Sequence, residues 1–140
     1  MRGVVNLYFC KRHGVFMYDK NKSPTGWYIG SYVLRFVELD WEGNDDPERR
    51  FNAWENTILV KAENLEDAYD KIVEVASMQT VPYKGGHEGV PVQWVFEGVT
   101  ELLPVYEEFA HGSELMYREY GPTKLKNLRK QVRSKDEFRQ

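Results

Sequence analysis

The chain has 140 residues, of which 41% are hydrophobic, 29% charged and 14% aromatic, with a formal net charge of −3. This composition is typical of one folded domain with a single core, and it excludes an intrinsically disordered chain. No uncharged stretch approaches the roughly 18 apolar residues of a membrane helix, so we expect no membrane contact. Cys10 is the single cysteine, which excludes an intramolecular disulfide and favours a cytoplasmic location.

Charge is distributed unevenly along the chain. Residues 121–140 hold seven Lys or Arg and two acidic residues, a net charge of +5. Residues 1–120 hold 12 basic and 20 acidic residues, a net charge of −8. Because an acidic surface repels phosphate backbones, any contact with nucleic acid is expected to involve the basic tail.

The first half of the chain predicts strands around one exposed loop. The first 26 residues form an extension, in which residues 4–10 are predicted to pair with residues 15–18 as a hairpin. In residues 27–39 both alternating sets of side chains are largely apolar or aromatic, which predicts a long strand covered on both faces. Residues 40–50 are acidic and rich in turn formers, which predicts an exposed loop. Residues 54–62 alternate and predict a half-buried strand that pairs antiparallel with the first.

The main helix has clear boundary signals. Asn64 is a typical N-cap residue, and the acidic Asp67 favours the free N–H groups of the first turn. Apolar residues at helical spacing predict a helix over residues 65–79, before Pro82. Residues 83–89 contain three glycines and predict a flexible loop.

Three extended segments and a basic helix are predicted for the rest of the chain. The extended segments are residues 90–96, a weaker piece at 99–106 interrupted by Pro104, and residues 115–120. A thin apolar stripe predicts a helix within the tail, residues 122–140. The fold is therefore expected to be α+β, an antiparallel sheet of four to six strands with one main helix on a face, plus a basic C-terminal helix. Residues 1–121 form one domain in this scheme.

Several short segments are familiar in their order and spacing. They are Trp27-Tyr28, Ile58 to Ala62 before a helix that contains Ala68, Gly89-x-x-Val92-x-Trp94-x-Phe96-x-Gly98-Val99, and Gly112-x-Glu114-Leu115-x-Tyr117-Arg118. Together they resemble a small bacterial family described as domain of unknown function 4288, over about residues 27–120. The resemblance implies a compact α+β domain, usually standing alone in bacterial or phage genomes, and it implies no catalytic residue. The first 26 residues, the loop 40–50 and the tail depart from the family pattern.

No pattern in the chain is typical of an active site. Cys10 and His13 would suit a thiolate nucleophile, but neither an oxyanion-hole motif nor a nucleophile elbow accompanies them. The same two residues supply only two of the ligands that zinc requires. In the loop 40–50, Asp45 and Phe51 stand where a calcium loop needs Gly and Glu. We therefore expect no catalytic residues, no metal and no cofactor, and an enzyme is the least supported class.

The tryptophans suggest an interaction surface. Trp27, Trp54 and Trp94 fall on apolar faces and are expected in the core. Trp41 stands among acidic residues, either as an exposed hot spot for a basic partner or as a lid on its own sheet. Our main hypothesis is a non-enzymatic binding protein, of the acidic inhibitor or immunity type, that recognises another protein. Its predicted partner-binding residues are Asp40, Trp41, Glu42, Asp45 and Asp46.

The sequence is also compatible with two other functions, binding of a small anionic ligand and binding of nucleic acid. A small anionic ligand or nucleotide, as in phage–host conflict, would be bound by backbone N–H groups and basic side chains. The residues for this site would be Lys84, Gly85, Gly86 and His87, with Arg49, Arg50 or Arg118. Nucleic acid would be bound by Lys124, Lys126, Arg129, Lys130 and Arg133, although the tail lacks interleaved aromatic residues for base stacking. The tail could instead dock on an acidic body, its own or a neighbour's, and a homodimer is plausible.

Overall fold

The computed structural model describes residues 19–140, which form a four-stranded antiparallel sheet with one main helix packed on it. The predicted α+β fold is confirmed, with the strand order β2-β1-β4-β3. The elements are β1 (Trp27–Glu38), β2 (Ala53–Lys61), α1 (Leu65–Ser77), β3 (Tyr83–Gly85), β4 (Val90–Pro104), α2 (Leu125–Arg129) and a 3-10 turn (Lys135–Phe138). The predicted N-terminal hairpin, Cys10 and His13 lie outside the described residues.

Strand β1 is the centre of the sheet. It pairs antiparallel with β2 on one side, as predicted, and with β4 on the other. Tyr28 and Tyr32 are fully buried on the face that carries the helix, together with Leu34. On the opposite face Ile29 and Val37 are also buried.

Strand β4 is one long, curved strand. Two register shifts against β1 leave Thr100 and Glu97 as extra residues, and Gly98 lies between them with a φ of 153°. Each bulge bends the strand and increases its twist, so the sheet curls. The predicted division at residues 97–98 is wrong, because the strand continues through the two bulges to Pro104.

Helix α1 begins as predicted. The Asn64 side chain accepts a hydrogen bond from the Asp67 N–H (2.8 Å), and the Asp67 carboxylate accepts one from the Glu63 N–H (3.0 Å). These bonds satisfy two of the free N–H groups near the helix start. The buried residues of the helix recur every fourth position, and they are Ala68, Ile72 and Ala76.

The helix and β1 touch most closely at Gly30. A Cβ atom built on this glycine would lie 2.0 Å from Cδ1 of Ile72. A side chain there would force the Ile72 side chain or the helix to shift, so the hydrogen atom of glycine allows the close approach of the two layers.

Three elements differ from the prediction. Residues 83–89 are not a simple loop, because Tyr83–Gly85 pairs with β4 through a turn in which Gly86 and Gly89 have positive φ. Residues 115–120 form no strand, because the chain leaves the sheet after Pro104 and most of their large side chains stay exposed. The C-terminal helix has only five residues, since its apolar stripe is exposed and short isolated helices are unstable. Within residues 19–140 no helix is long and apolar enough to cross a bilayer.

Candidate functional site

The acidic loop, residues 40–50, connects β1 to β2 and has a defined conformation. Nδ2 of Asn44 donates to the carbonyl oxygens of Glu38 (2.8 Å) and Trp41 (3.1 Å). The Trp41 N–H donates to the Glu38 carbonyl, and the Asp46 N–H donates to the Gly43 carbonyl. The loop is therefore tied to the end of β1 by its own backbone and by one amide side chain.

Arginine and aromatic side chains form a stack beside this loop. The Arg35 guanidinium lies 4.5 Å from the centre of the Phe51 ring. The Arg49 guanidinium lies 5.3 Å from Phe51 and 4.8 Å from Trp41. Cation–π contacts of this kind attract the ring face to the positive charge. Trp41 thus stands at one end of an Arg35–Phe51–Arg49–Trp41 stack.

The stack is fixed to the sheet through Arg35. Its Nε donates to the Glu97 carboxylate on β4 (2.7 Å), and Nη1 donates to the carbonyl of Asn44 (2.6 Å). Trp41 remains 57% exposed at the other end. Trp41 lies against Arg49 with more than half of its surface in solvent, and its role as a hot spot stays a prediction.

The loop that carries Trp41 also carries several carboxylates. The side chains of Asp40, Glu42, Asp45 and Asp46 are exposed, and Glu48 adds a fifth exposed acid. The Arg49 guanidinium lies in the stack and donates to the Glu42 carbonyl (2.5 Å). Its positive charge therefore contacts groups of the loop itself. The five predicted partner-binding residues therefore lie on one exposed acidic loop, and their role in binding stays a prediction.

The glycine turn lies at the same end of the sheet. The Leu39 N–H donates to the Pro91 carbonyl, which brings the start of the acidic loop next to the start of β4. Lys84 and Gly85 belong to β3, and Gly86 and His87 to the turn.

Of the arginines proposed for an anion site, Arg49 is engaged in the stack. Arg50 lies at the end of the acidic loop and Arg118 in the irregular segment after β4, and both are exposed. The anion site stays a prediction.

The basic tail is exposed along its whole length. The five residues predicted to contact nucleic acid, Lys124, Lys126, Arg129, Lys130 and Arg133, all lie in solvent. The one ion pair of the tail within the described residues joins Arg133 to Glu137, and the Arg133 guanidinium also lies 5.0 Å from the Phe138 ring. These contacts are internal to the tail, and they leave its charge accessible.

An aromatic cleft lies on the helix-bearing face of the sheet. It has a volume of about 250 Å³ and is lined by Leu34, Trp54, Asn56, Gln79 and Trp94. The prediction that Trp54 belongs to the core is wrong, because 63% of its surface is exposed. Trp94 is half-buried, and Trp27 is half-buried between Phe109 and Lys61.

The cleft exists because the helix is shorter than the strand it covers. Helix α1 has 13 residues and extends about 20 Å, whereas β1 has 12 residues and extends about 40 Å. The helix covers Tyr28 and Tyr32, and Gln79 follows its end. Beyond Gln79 the face stays open. The predicted lengths of the helix and the strand already indicate that part of this face stays uncovered, whereas the apolar pattern of the faces does not show it.

The walls of the cleft have a defined geometry. The Trp54 and Trp94 rings lie 6.1 Å apart at 88°, and Trp94 also meets the edge of Phe36 at 5.2 Å. Nε2 of Gln79 donates to the buried hydroxyl of Tyr32 (2.7 Å). Nδ2 of Asn56 reaches Oε1 of Gln79 at 3.4 Å. Two perpendicular indoles and two linked amides thus face one space, and its lining carries no charged side chain.

The comparison with protein families confirms the resemblance seen in the sequence. The model of the domain of unknown function DUF4288 matches residues 27–117. The chain belongs to the DUF4288 family. No curated protein and no solved structure matches the chain.

The DUF4288 match begins with β1 and ends in the irregular segment after β4. The domain therefore includes the sheet, α1, the acidic loop and the aromatic cleft, while the basic tail lies outside it. Within residues 19–140 no group of three His, Cys, Asp or Glu side chains could hold a metal ion.

Proposed function

We propose that this DUF4288 protein is a non-enzymatic binding module that recognises a basic partner protein through the acidic loop. The observation that carries this proposal is Trp41, which is held on Arg49 and remains 57% exposed among carboxylates. Tryptophan is, with tyrosine and arginine, enriched among the residues that contribute most binding energy at protein interfaces.

The fixed conformation of the loop supports this role. Binding costs free energy when loops and side chains must be ordered, so a surface ordered in advance binds more tightly. The Asn44 side chain donates to the Glu38 carbonyl at the end of β1, and the Arg35 side chain donates to the Asn44 carbonyl. These two bonds hold the loop in one conformation. Trp41 can therefore enter a pocket of a partner without a large loss of loop entropy.

Charge supports a basic partner. Residues 1–120 carry a net charge of −8, and the exposed acids of the loop concentrate negative charge around Trp41. Complementary charge accelerates association and selects among partners. An inhibitor or immunity protein that covers a basic surface of a cytoplasmic partner would use this arrangement.

Affinity capture from a bacterial lysate tests the proposal. Trp41→Ala should abolish capture of a basic protein, and so should neutralisation of the loop by Asp40→Asn, Glu42→Gln, Asp45→Asn and Asp46→Asn. A matched control neutralises four exposed acids elsewhere, by Glu66→Gln, Asp70→Asn, Glu74→Gln and Glu108→Gln. The control should retain the partner. Equal capture by the wild type and both loop variants would contradict the proposal.

A further inference from the structure

The aromatic cleft has the features of a small-molecule site that is separate from the acidic loop. We infer that it binds a flat, uncharged heteroaromatic ring with an amide-like edge, which is the chemistry of a nucleobase. The ring would lie against the Trp54 indole, and its edge would meet the amides of Asn56 and Gln79.

The tryptophans supply the stacking surface. Trp54 is 63% exposed although it stands on a strand beside Leu34, so its ring face is accessible from solvent. Trp94 closes the corner at 88° and is itself braced by Phe36. A flat ring placed on one indole therefore meets the edge of the other, which favours planar ligands.

The side-chain amides of Asn56 and Gln79 would form hydrogen bonds with the edge of the ligand ring. Gln79 is oriented by the hydroxyl of Tyr32, a residue without any exposed surface, and Asn56 is linked to Gln79. Each amide NH2 group has two N–H donors, and each of these contacts uses one of them. A donor and an acceptor side by side complement the edge of a base, as Asn and Gln do with adenine.

Size and charge define the ligand further. The volume of about 250 Å³ is smaller than the roughly 300–1,000 Å³ typical of sites for drug-sized ligands. The five lining residues are uncharged, and the domain around them is acidic. A base or nucleoside is therefore favoured over a nucleotide, whose phosphate would be repelled.

The cleft and the acidic loop lie on opposite faces of the sheet. Leu34 forms part of the cleft, and the next residue, Arg35, carries the stack under Trp41. Successive side chains of a strand point to opposite faces. The two sites can therefore be changed independently, and failure of one proposal leaves the other standing.

Titration with adenosine, followed by calorimetry and by NMR of the tryptophan indole N–H groups, tests the inference. Adenosine should bind and shift the signals of Trp54 and Trp94 but not that of Trp41. Trp54→Ala should weaken binding by roughly tenfold or more, because it removes the stacking ring. Trp54→Phe should retain most of the affinity, and Asn56→Leu should lower it roughly fivefold. Trp41→Ala serves as the matched control and should bind adenosine like the wild type.

Two further probes separate the chemistry of the ring from that of its substituents. AMP should bind more weakly than adenosine, and the difference should shrink at high salt because it is electrostatic. Methyl glucoside, a ring without a planar edge, should not bind. Absence of adenosine binding, equal binding of methyl glucoside, or unchanged binding by Trp54→Ala would overturn the inference. Circular dichroism of each variant establishes that it is folded.

Discussion

The two halves of the helix-bearing face use similar residues for different purposes. In one half Tyr28 and Tyr32 are 0% exposed beneath α1. In the other half Trp54 and Trp94 line an open cleft. Both halves are aromatic and both lie on the same three strands. The length of the covering helix, and not the apolar character of the strands, therefore decides which aromatic residues are buried and which are exposed.

The covered half also positions the open half. Tyr32 is fully buried, yet its hydroxyl accepts a hydrogen bond from Gln79, which lines the cleft. Packing that orients Tyr32 therefore orients one amide of the proposed ligand site. A loss of order in the core is expected to reach the cleft through this contact.

The largest effect should come from the core side of the comparison. Ile72→Ala removes a fully buried side chain from the layer between α1 and β1. The lost contacts and the resulting cavity should lower the free energy of unfolding by about 2–5 kcal/mol. Urea unfolding monitored by circular dichroism measures this change. A loss below about 1 kcal/mol would mean that α1 contributes little to the core.

Gly30→Ala should have the next largest effect. The new Cβ would lie 2.0 Å from Ile72 Cδ1, so the Ile72 side chain or the helix must shift, at a cost of about 1–3 kcal/mol. Gly121→Ala is a matched control, because no atom lies within 4 Å of its Cβ position. Ile72→Val combined with Gly30→Ala should cost less than the sum of the two changes, since the smaller side chain relieves the clash. Additive costs would argue against this contact.

Much of the fold could be predicted from the sequence, because it depends on local patterns. Strand β1 is apolar on both faces, β2 alternates, and α1 has a cap, a helical spacing and a nearby proline. The bulges at Glu97 and Thr100 could not be predicted, since they depend on how β4 pairs with β1, which no local pattern in β4 shows. The short strand β3 was missed because its glycines suggested a loop, although the same glycines form the hairpin turn.

The candidate sites could likewise be predicted only where they depend on local patterns in the sequence. The acidic neighbours of Trp41 in the chain left both an exposed ring and a lid on the sheet open, and the structure shows the ring 57% exposed. Arg35 and Phe51 are separated by 16 positions, and no local pattern shows that they stack beneath that loop. Trp54 was assigned to the core because its strand alternates correctly. Its exposure depends on where α1 ends, which is a property of the assembled fold.

The start of α1 tests how firmly the covered half is held. Asn64→Ala removes the side chain that accepts from the Asp67 N–H, and it should cost about 1 kcal/mol. Asn64→Asp retains the acceptor and should cost much less. Thermal unfolding of both variants measures the difference. If Asn64→Ala were as stable as the wild type, packing alone would determine where the helix begins.

The pH dependence of stability should be smaller and should involve Asp67. The hydrogen bond from the Glu63 N–H, assisted by Lys71, holds the pKa of Asp67 below its ordinary value. A carboxylate with a lowered pKa stabilises the fold above its unfolded pKa, and this contribution disappears as the pH falls through the folded pKa. Asp67→Asn should therefore be less stable than the wild type at pH 7, and the difference should be smaller at pH 3. An equal difference at both pH values would assign the effect to packing.

The smallest effect should come from Trp54→Ala, and it separates the two halves most sharply. A tryptophan in a core costs about 3–5 kcal/mol when it is truncated. Trp54 is 63% exposed, so its truncation should change the free energy of unfolding by no more than about 0.5 kcal/mol, as for other surface positions. Urea unfolding beside Ile72→Ala makes the comparison direct. A cost of the core type would mean that Trp54 stabilises the sheet, whereas the expected small change leaves its ring free for a ligand.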